Sequence, residues 1–145
     1  MRFATLSLLA AILVSLPAQA AAPNMKEGLW EITTTMEMPG MPGGMKPQVT
    51  QQCYTKKDLD DPRKTAPSGG DPKDNRCQMT DYKMQGNTAS WNMACKGENA
   101  MTGSGTATYS GTSYTGTNKM SMKHGSNVQA MTMRFSGKHL GDCKK

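Results

Sequence analysis

The sequence predicts an all-β protein: an antiparallel meander of about seven strands forming a curled sheet or an up-and-down, lipocalin-like barrel, with one short helix and two disulfides. Three observations predict it. From Gly28 onward apolar residues recur at every second position, the period of a strand with one buried face. Turn residues punctuate those runs at even spacing. Four cysteines occur in a short chain that opens with an export signal.

The first strand begins at Gly28, and Trp30, Ile32, Thr34, Met36 and Met38 share one of its faces. Pro39 ends it, and Met38-Pro39-Gly40-Met41-Pro42-Gly43-Gly44-Met45 makes a loop, since Pro lacks a ladder donor and Gly frees the backbone. A second strand covers residues 48–54. Thr55 followed by Asp58 resembles a capping box, which predicts a short helix stopped by Pro62. The remainder of the segment up to residue 76 reads as a loop.

A meander of four or five strands follows. Residues 77–84 and 88–96 flank a hairpin loop at Gln85-Gly86-Asn87. Residues 101–109 and 112–122 flank Ser110-Gly111, and a last strand covers 129–137. A two-sheet sandwich is the alternative architecture.

In the first hairpin Cys77 and Cys95 are equidistant from Gly86, so they stand opposite each other within disulfide reach. Cys53 and Cys143 then pair by elimination. That bridge closes most of the mature chain into a loop, worth about 4 to 5 kcal/mol in the chain-entropy picture. A cysteine metal site is disfavoured because no C-x-x-C spacing is present. The same symmetry sets Met79 opposite Met93 and Asp81 opposite Trp91.

Residues 1–20 have the form of a signal peptide, with Arg2 as the charged start, an apolar run, and Ala18-Gln19-Ala20 as the cleavage site. Residues 21–145 are then a single mature domain. The apolar run is too short to span a bilayer comfortably and no second one follows. Removing Arg2 from the 17 basic residues leaves 16 against 11 acidic ones, a net of +5. The lysines are scattered rather than gathered with aromatics, which argues against nucleic acid. A periplasmic monomer is expected.

The mature chain has three Leu, one Ile, two Val and one Phe against thirteen Met. So few branched residues cannot fill a core, and methionine must serve as core by default. Methionine is also the loudest chemical signal. Met36, Met38, Met41 and Met45 place four thioethers in or beside a flexible loop, and soft sulfur selects Cu(I). If the last hairpin turns between Ser126 and Asn127, Met122 faces Met131 and Met120 faces Met133, with His124 at the same edge. That is a second candidate copper set, although a packed methionine ladder filling a face short of Leu and Val is the favoured account of it.

Catalysis has no foothold. Both histidines, His124 and His139, lie in lysine-bearing segments, no serine sits in a nucleophile elbow, and the cysteines are consumed by bridges. Asp58, Asp60, Asp61, Asp71 and Asp74 hint at calcium, but the EF-hand order is missing and nearby lysines and Arg63 neutralise the group. Gly28-Leu29-Trp30 resembles the Gly-x-Trp that opens lipocalin-like barrels.

Lys26-Glu27-Gly28-Leu29-Trp30-Glu31, the Met/Pro/Gly loop, Gln52-Cys53, Ser90-Trp91, Thr108-Tyr109, Tyr114 with Gly116, Met131-Thr132-Met133 and Gly137-Lys138-His139-Leu140-Gly141-Asp142-Cys143 together resemble a family of small exported proteins, mostly proteobacterial, carrying a domain of unknown function. The resemblance implies a periplasmic single-domain protein and assigns no activity. The expected function is non-enzymatic binding of a small apolar or amphipathic molecule, lined by Trp30, Met36, Met79, Trp91, Met93, Met120, Met122, Met131 and Met133. The alternatives are a methionine-based Cu(I) buffer and an envelope module that pairs a partner along a sheet edge.

Overall fold

The computed structural model describes residues 22–40, 43–66, 76–97 and 100–144. The segment 1–20 expected to be a signal peptide, Met41, Asp71 and Asp74 lie outside them. The chain forms strands β1 (Gly28–Glu37), β2 (Gln48–Tyr54), β3 (Cys77–Gln85), β4 (Thr88–Cys95), β5 (Met101–Tyr109), β6 (Ser113–His124) and β7 (Asn127–Gly141), with helices α1 (Lys56–Leu59) and α2 (Pro62–Thr65) between β2 and β3. All seven strands belong to one sheet in the order β2-β1-β7-β6-β5-β4-β3, and every neighbouring pair is antiparallel. The meander from β3 to β7 is thus sealed by β1 along β7, and the sheet stays open between its edge strands β2 and β3. It is a curled sheet and not a closed barrel.

Two helices form where one was expected. Thr55 caps α1 in a full capping box with Asp58, as the sequence indicates. Pro62 does not simply end that helix but opens the next, at the first position where its missing N–H costs nothing, while Asp61 accepts from the backbone N–H of Arg63.

Period two puts the large side chains on one face, and glycines let them lie flat against it. Trp91 is paired with Gly105, Phe135 with Gly116 and Tyr114 with Gly137. A Cβ at any of these glycines would collide with the ring of its partner. The rings therefore cover the neighbouring strand itself, which draws the sheet around its inner face.

At one end of that face an aromatic cluster is fully buried. The rings of Trp30 and Tyr114 lie 5.4 Å apart, those of Tyr109 and Tyr114 5.7 Å, and those of Tyr114 and Phe135 6.2 Å. Such tilted pairs contribute about 0.5–1.5 kcal/mol each beyond their burial. Tyr54, Leu59, Thr65 and Ala66 cap this end, and the Tyr109 hydroxyl donates to the Thr65 carbonyl at 3.2 Å, fastening α2 to β5. Burial pushes the phenols of Tyr109 and Tyr114 far above their ordinary range, so the cluster carries no charge.

Both disulfides form as the sequence indicates, Cys53 with Cys143 and Cys77 with Cys95. The first joins positions 90 residues apart and spans the start of β1, where Leu29 is paired with Cys53 on one side and Gly141 on the other.

Candidate ligand-binding face

Beyond the aromatic cluster the inner face changes composition. In successive rows across the strands stand Met36, Met133, Asn118, Gly105 and Trp91, then Met131, Met120, Gly103, Met93 and Met79, then Met122, Met101, Cys95 and Cys77. Four methionine pairs are directly opposed: Met36 with Met133, Met79 with Met93, Met101 with Met122, and Met120 with Met131. Opposed residues on a sheet face have their Cβ atoms about 4.5–5.5 Å apart, so the thioethers of each pair can touch.

Burial divides these residues into two layers. Met93, Met120 and Met133 are 3–6 % exposed, whereas Met36, Met79, Met101, Met122 and Met131 are half-buried. Met38, just past the end of β1, is also half-buried, and its sulfur accepts a hydrogen bond from the Gln129 side-chain amide at 3.6 Å. The result is a continuous thioether surface at the end of the sheet away from the helices. Trp30 does not belong to it, since it sits six residues, about 20 Å, from Met36 along β1 and inside the aromatic cluster. Trp91 is buried at the boundary.

One polar atom enters this face from β3. Asp81 adopts a positive φ of 54° and marks a β-bulge, so two residues of β3 oppose Trp91. The bulge is held by the Asn92 side-chain amide, which donates to the Asp81 carboxylate at 3.0 Å. Asp81 therefore does not face Trp91 on the disulfide side; it lines the opposite face of the sheet beside Lys83. Tyr82 turns inward instead, packing half-buried against the core, and its buried hydroxyl has no hydrogen-bond partner among the described residues.

The last hairpin also differs from the sequence reading. Its turn is Gly125-Ser126, with Gly125 at φ 59°, and His124 pairs with Asn127. Met120 accordingly faces Met131, not Met133, and Met122 faces Gln129. The turn sits one residue earlier than expected, which slides the register by two and keeps every side chain on its expected face.

Of the loop methionines, Met45 does not join Met36 on the inner face. The Met45 N–H donates to the Met36 carbonyl at 2.9 Å, but the Met45 residue is 42 % exposed while Met36 turns to the inner face. Among the described residues no group of three or more His, Cys, Asp or Glu could hold a metal ion. The acidic segment is used for helix capping: Lys64 donates to Asp58 and holds its carboxyl far below the ordinary range, and Arg63 pairs with Asp61 at 2.9 Å.

The opposite face is a hydroxyl surface that sequence reading did not single out. Thr33, Thr35, Thr106, Thr108, Thr115, Thr117, Arg134 and Ser136 line a shallow cleft of about 500 Å³. The signal was present as Thr-x-Thr on β1, β5 and β6. Arg134 there is bound to Glu37 at 2.9 Å.

Fold and site together define an open, disulfide-bridged antiparallel sheet with one hydroxyl face and one aromatic and methionine face. The chain belongs to the family described as protein of unknown function (DUF3617), whose sequence profile matches residues 25–143. The match takes in all seven strands and all four cysteines. No curated protein and no solved structure matches the chain. No helix among the described residues is long and apolar enough to cross a membrane.

Proposed function

We propose that this protein is exported to the periplasm and there binds a small apolar or amphipathic molecule against the methionine end of its inner face, without catalysing a reaction. The observation that carries the reading is the outer thioether layer: Met36, Met38, Met79, Met101, Met122 and Met131 are half-buried on one face, interleaved with buried methionines. Unbranched, polarizable methionines adapt to ligands of varied shape, and surfaces rich in them serve promiscuous apolar binding. Two disulfides and no free cysteine support an oxidising compartment.

Native mass spectrometry of the disulfide-intact protein as purified, followed by titration with a naphthalene-sulfonate dye and displacement by a long-chain fatty acid, tests it. A co-purified mass or saturable, displaceable dye uptake is expected. Absence of both overturns the reading. Fractionation of cells tests the location.

Cu(I) binding is the second reading. It is favoured by the direct pairs Met36–Met133 and Met120–Met131, which lie in adjacent rows of one face. Stoichiometric Cu(I) uptake against a competing chelator supports it, and no uptake removes it.

A further inference from the structure

In three of the four methionine pairs a half-buried thioether stands directly opposite a buried one: Met36 over Met133, Met79 over Met93, and Met131 over Met120. The fourth pair, Met101 and Met122, is half-buried on both sides. Oxidation of methionine follows exposure, and it converts an apolar thioether into a polar sulfoxide.

We infer that the methionine end is a two-layer oxidation site, in which two-electron oxidants such as hypochlorous acid modify the outer thioethers first and thereby cancel apolar binding while the inner layer keeps the fold. In each event the methionine sulfur attacks the hypochlorous oxygen. The O–Cl bond breaks, chloride and a proton leave, and the sulfur, having given up two electrons, carries the new S–O bond. The outer layer is the proposed ligand surface, so the loss of binding rests on that reading; the order of oxidation does not.

The layers respond differently because a sulfoxide needs hydrogen-bond partners. A half-buried sulfoxide turns toward water. A sulfoxide at Met93, Met120 or Met133 stands among the buried core side chains and leaves a polar group unsatisfied there. Outer oxidation therefore changes the surface, and inner oxidation unfolds the sheet.

The test is graded oxidation of the full mature protein with hypochlorous acid, read by peptide mass mapping, near-ultraviolet circular dichroism and naphthalene-sulfonate dye uptake. Met36, Met38, Met79, Met101, Met122 and Met131 are expected to oxidise about tenfold faster than Met93, Met120 and Met133. Dye uptake falls with the first group at unchanged circular dichroism, and methionine sulfoxide reductases acting on both epimers restore it. Equal rates in the two layers, or loss of the dichroism signal together with the first sulfoxides, overturn the inference. If the unoxidised protein takes up no dye, the binding reading falls, and the oxidation order with the dichroism still decides the two-layer site.

Discussion

Gly105 lies directly opposite Trp91 across the β4–β5 ladder, and the indole together with the Asn118 side chain fills the volume a Cβ at position 105 would need. Trp91 is 3 % exposed. Gly105→Ala is therefore expected to destabilise the protein by about 1–3 kcal/mol, the cost of overpacking a filled core. Urea unfolding measures it. Ser104→Ala, one residue away on the hydroxyl face, should stay within about 0.5 kcal/mol of the parent.

The two disulfides should differ in weight. Replacing Cys53 and Cys143 by Ser opens a loop of sequence separation 90, whereas replacing Cys77 and Cys95 opens one of 18. In the chain-entropy picture the losses are about 4 to 5 and about 3 kcal/mol. Denaturant midpoints of the two double variants, compared with the parent, check the order.

All four tyrosines have phenols pushed above the ordinary value of 10.0, burial being the largest cause in each. A folded-state pKa above the unfolded one contributes stability that is present below the unfolded pKa and is lost as pH rises toward the folded one. Tyrosinate absorbance should thus show no step near pH 10 and should appear together with unfolding at higher pH. Free titration of the tyrosines near pH 10 in the folded protein would contradict the buried aromatic cluster.

Asp58 gives the opposite sign. Its carboxyl is held low by the Lys64 ammonium and by Thr55, so its contribution is present above the ordinary carboxylate range and is lost as pH falls through the lowered value. Because the pair is at the surface, Asp58→Asn should cost no more than about 1 kcal/mol at neutral pH, and the difference from the parent should shrink in acid. Paired thermal melts across the acid range test it.

Substitutions should also separate the two readings of the methionine face. Met36, Met38, Met120, Met131 and Met133 replaced together by Leu keep an apolar surface of similar volume. Dye uptake should survive within about threefold, whereas any Cu(I) uptake should vanish with the thioethers. Met122→Glu should lower dye affinity about tenfold with the fold intact, since a charge on the half-buried layer opposes apolar contact.

Strands and bridges were legible because period-two patterning and turn residues act locally. The pairing of Cys77 with Cys95 was read correctly from its symmetry about Gly86, but the structure reaches it by another route. The turn is the two residues Gly86 and Asn87, which alone would set Cys77 against Lys96, and the bulge at Asp81 takes up the extra residue. The local signal for that bulge is weak: Asp is depleted in strands and tolerates positive φ, but a single Asp81 does not by itself locate a bulge. The β6–β7 register slipped for a related reason: Gly125, Ser126 and Asn127 each suit a turn, and packing selects among them. Whether the sheet closes was not legible either, since it depends on two edges far apart in sequence. The outer methionine layer was visible as composition, while its division from the buried layer needed the register.

The order of strands fixes when the protein can become itself. β1 is the first strand to leave the ribosome, yet it lies between β2 and β7, and Met36 meets its central neighbour Met133 only after β7 has been delivered. Until then β1 and β2 form at best a lone hairpin, which is marginal in water. β7 is thus the strand that joins the β1–β2 hairpin to the β3–β6 meander, so completion of the sheet waits for the last strand and for the long-range closure it brings.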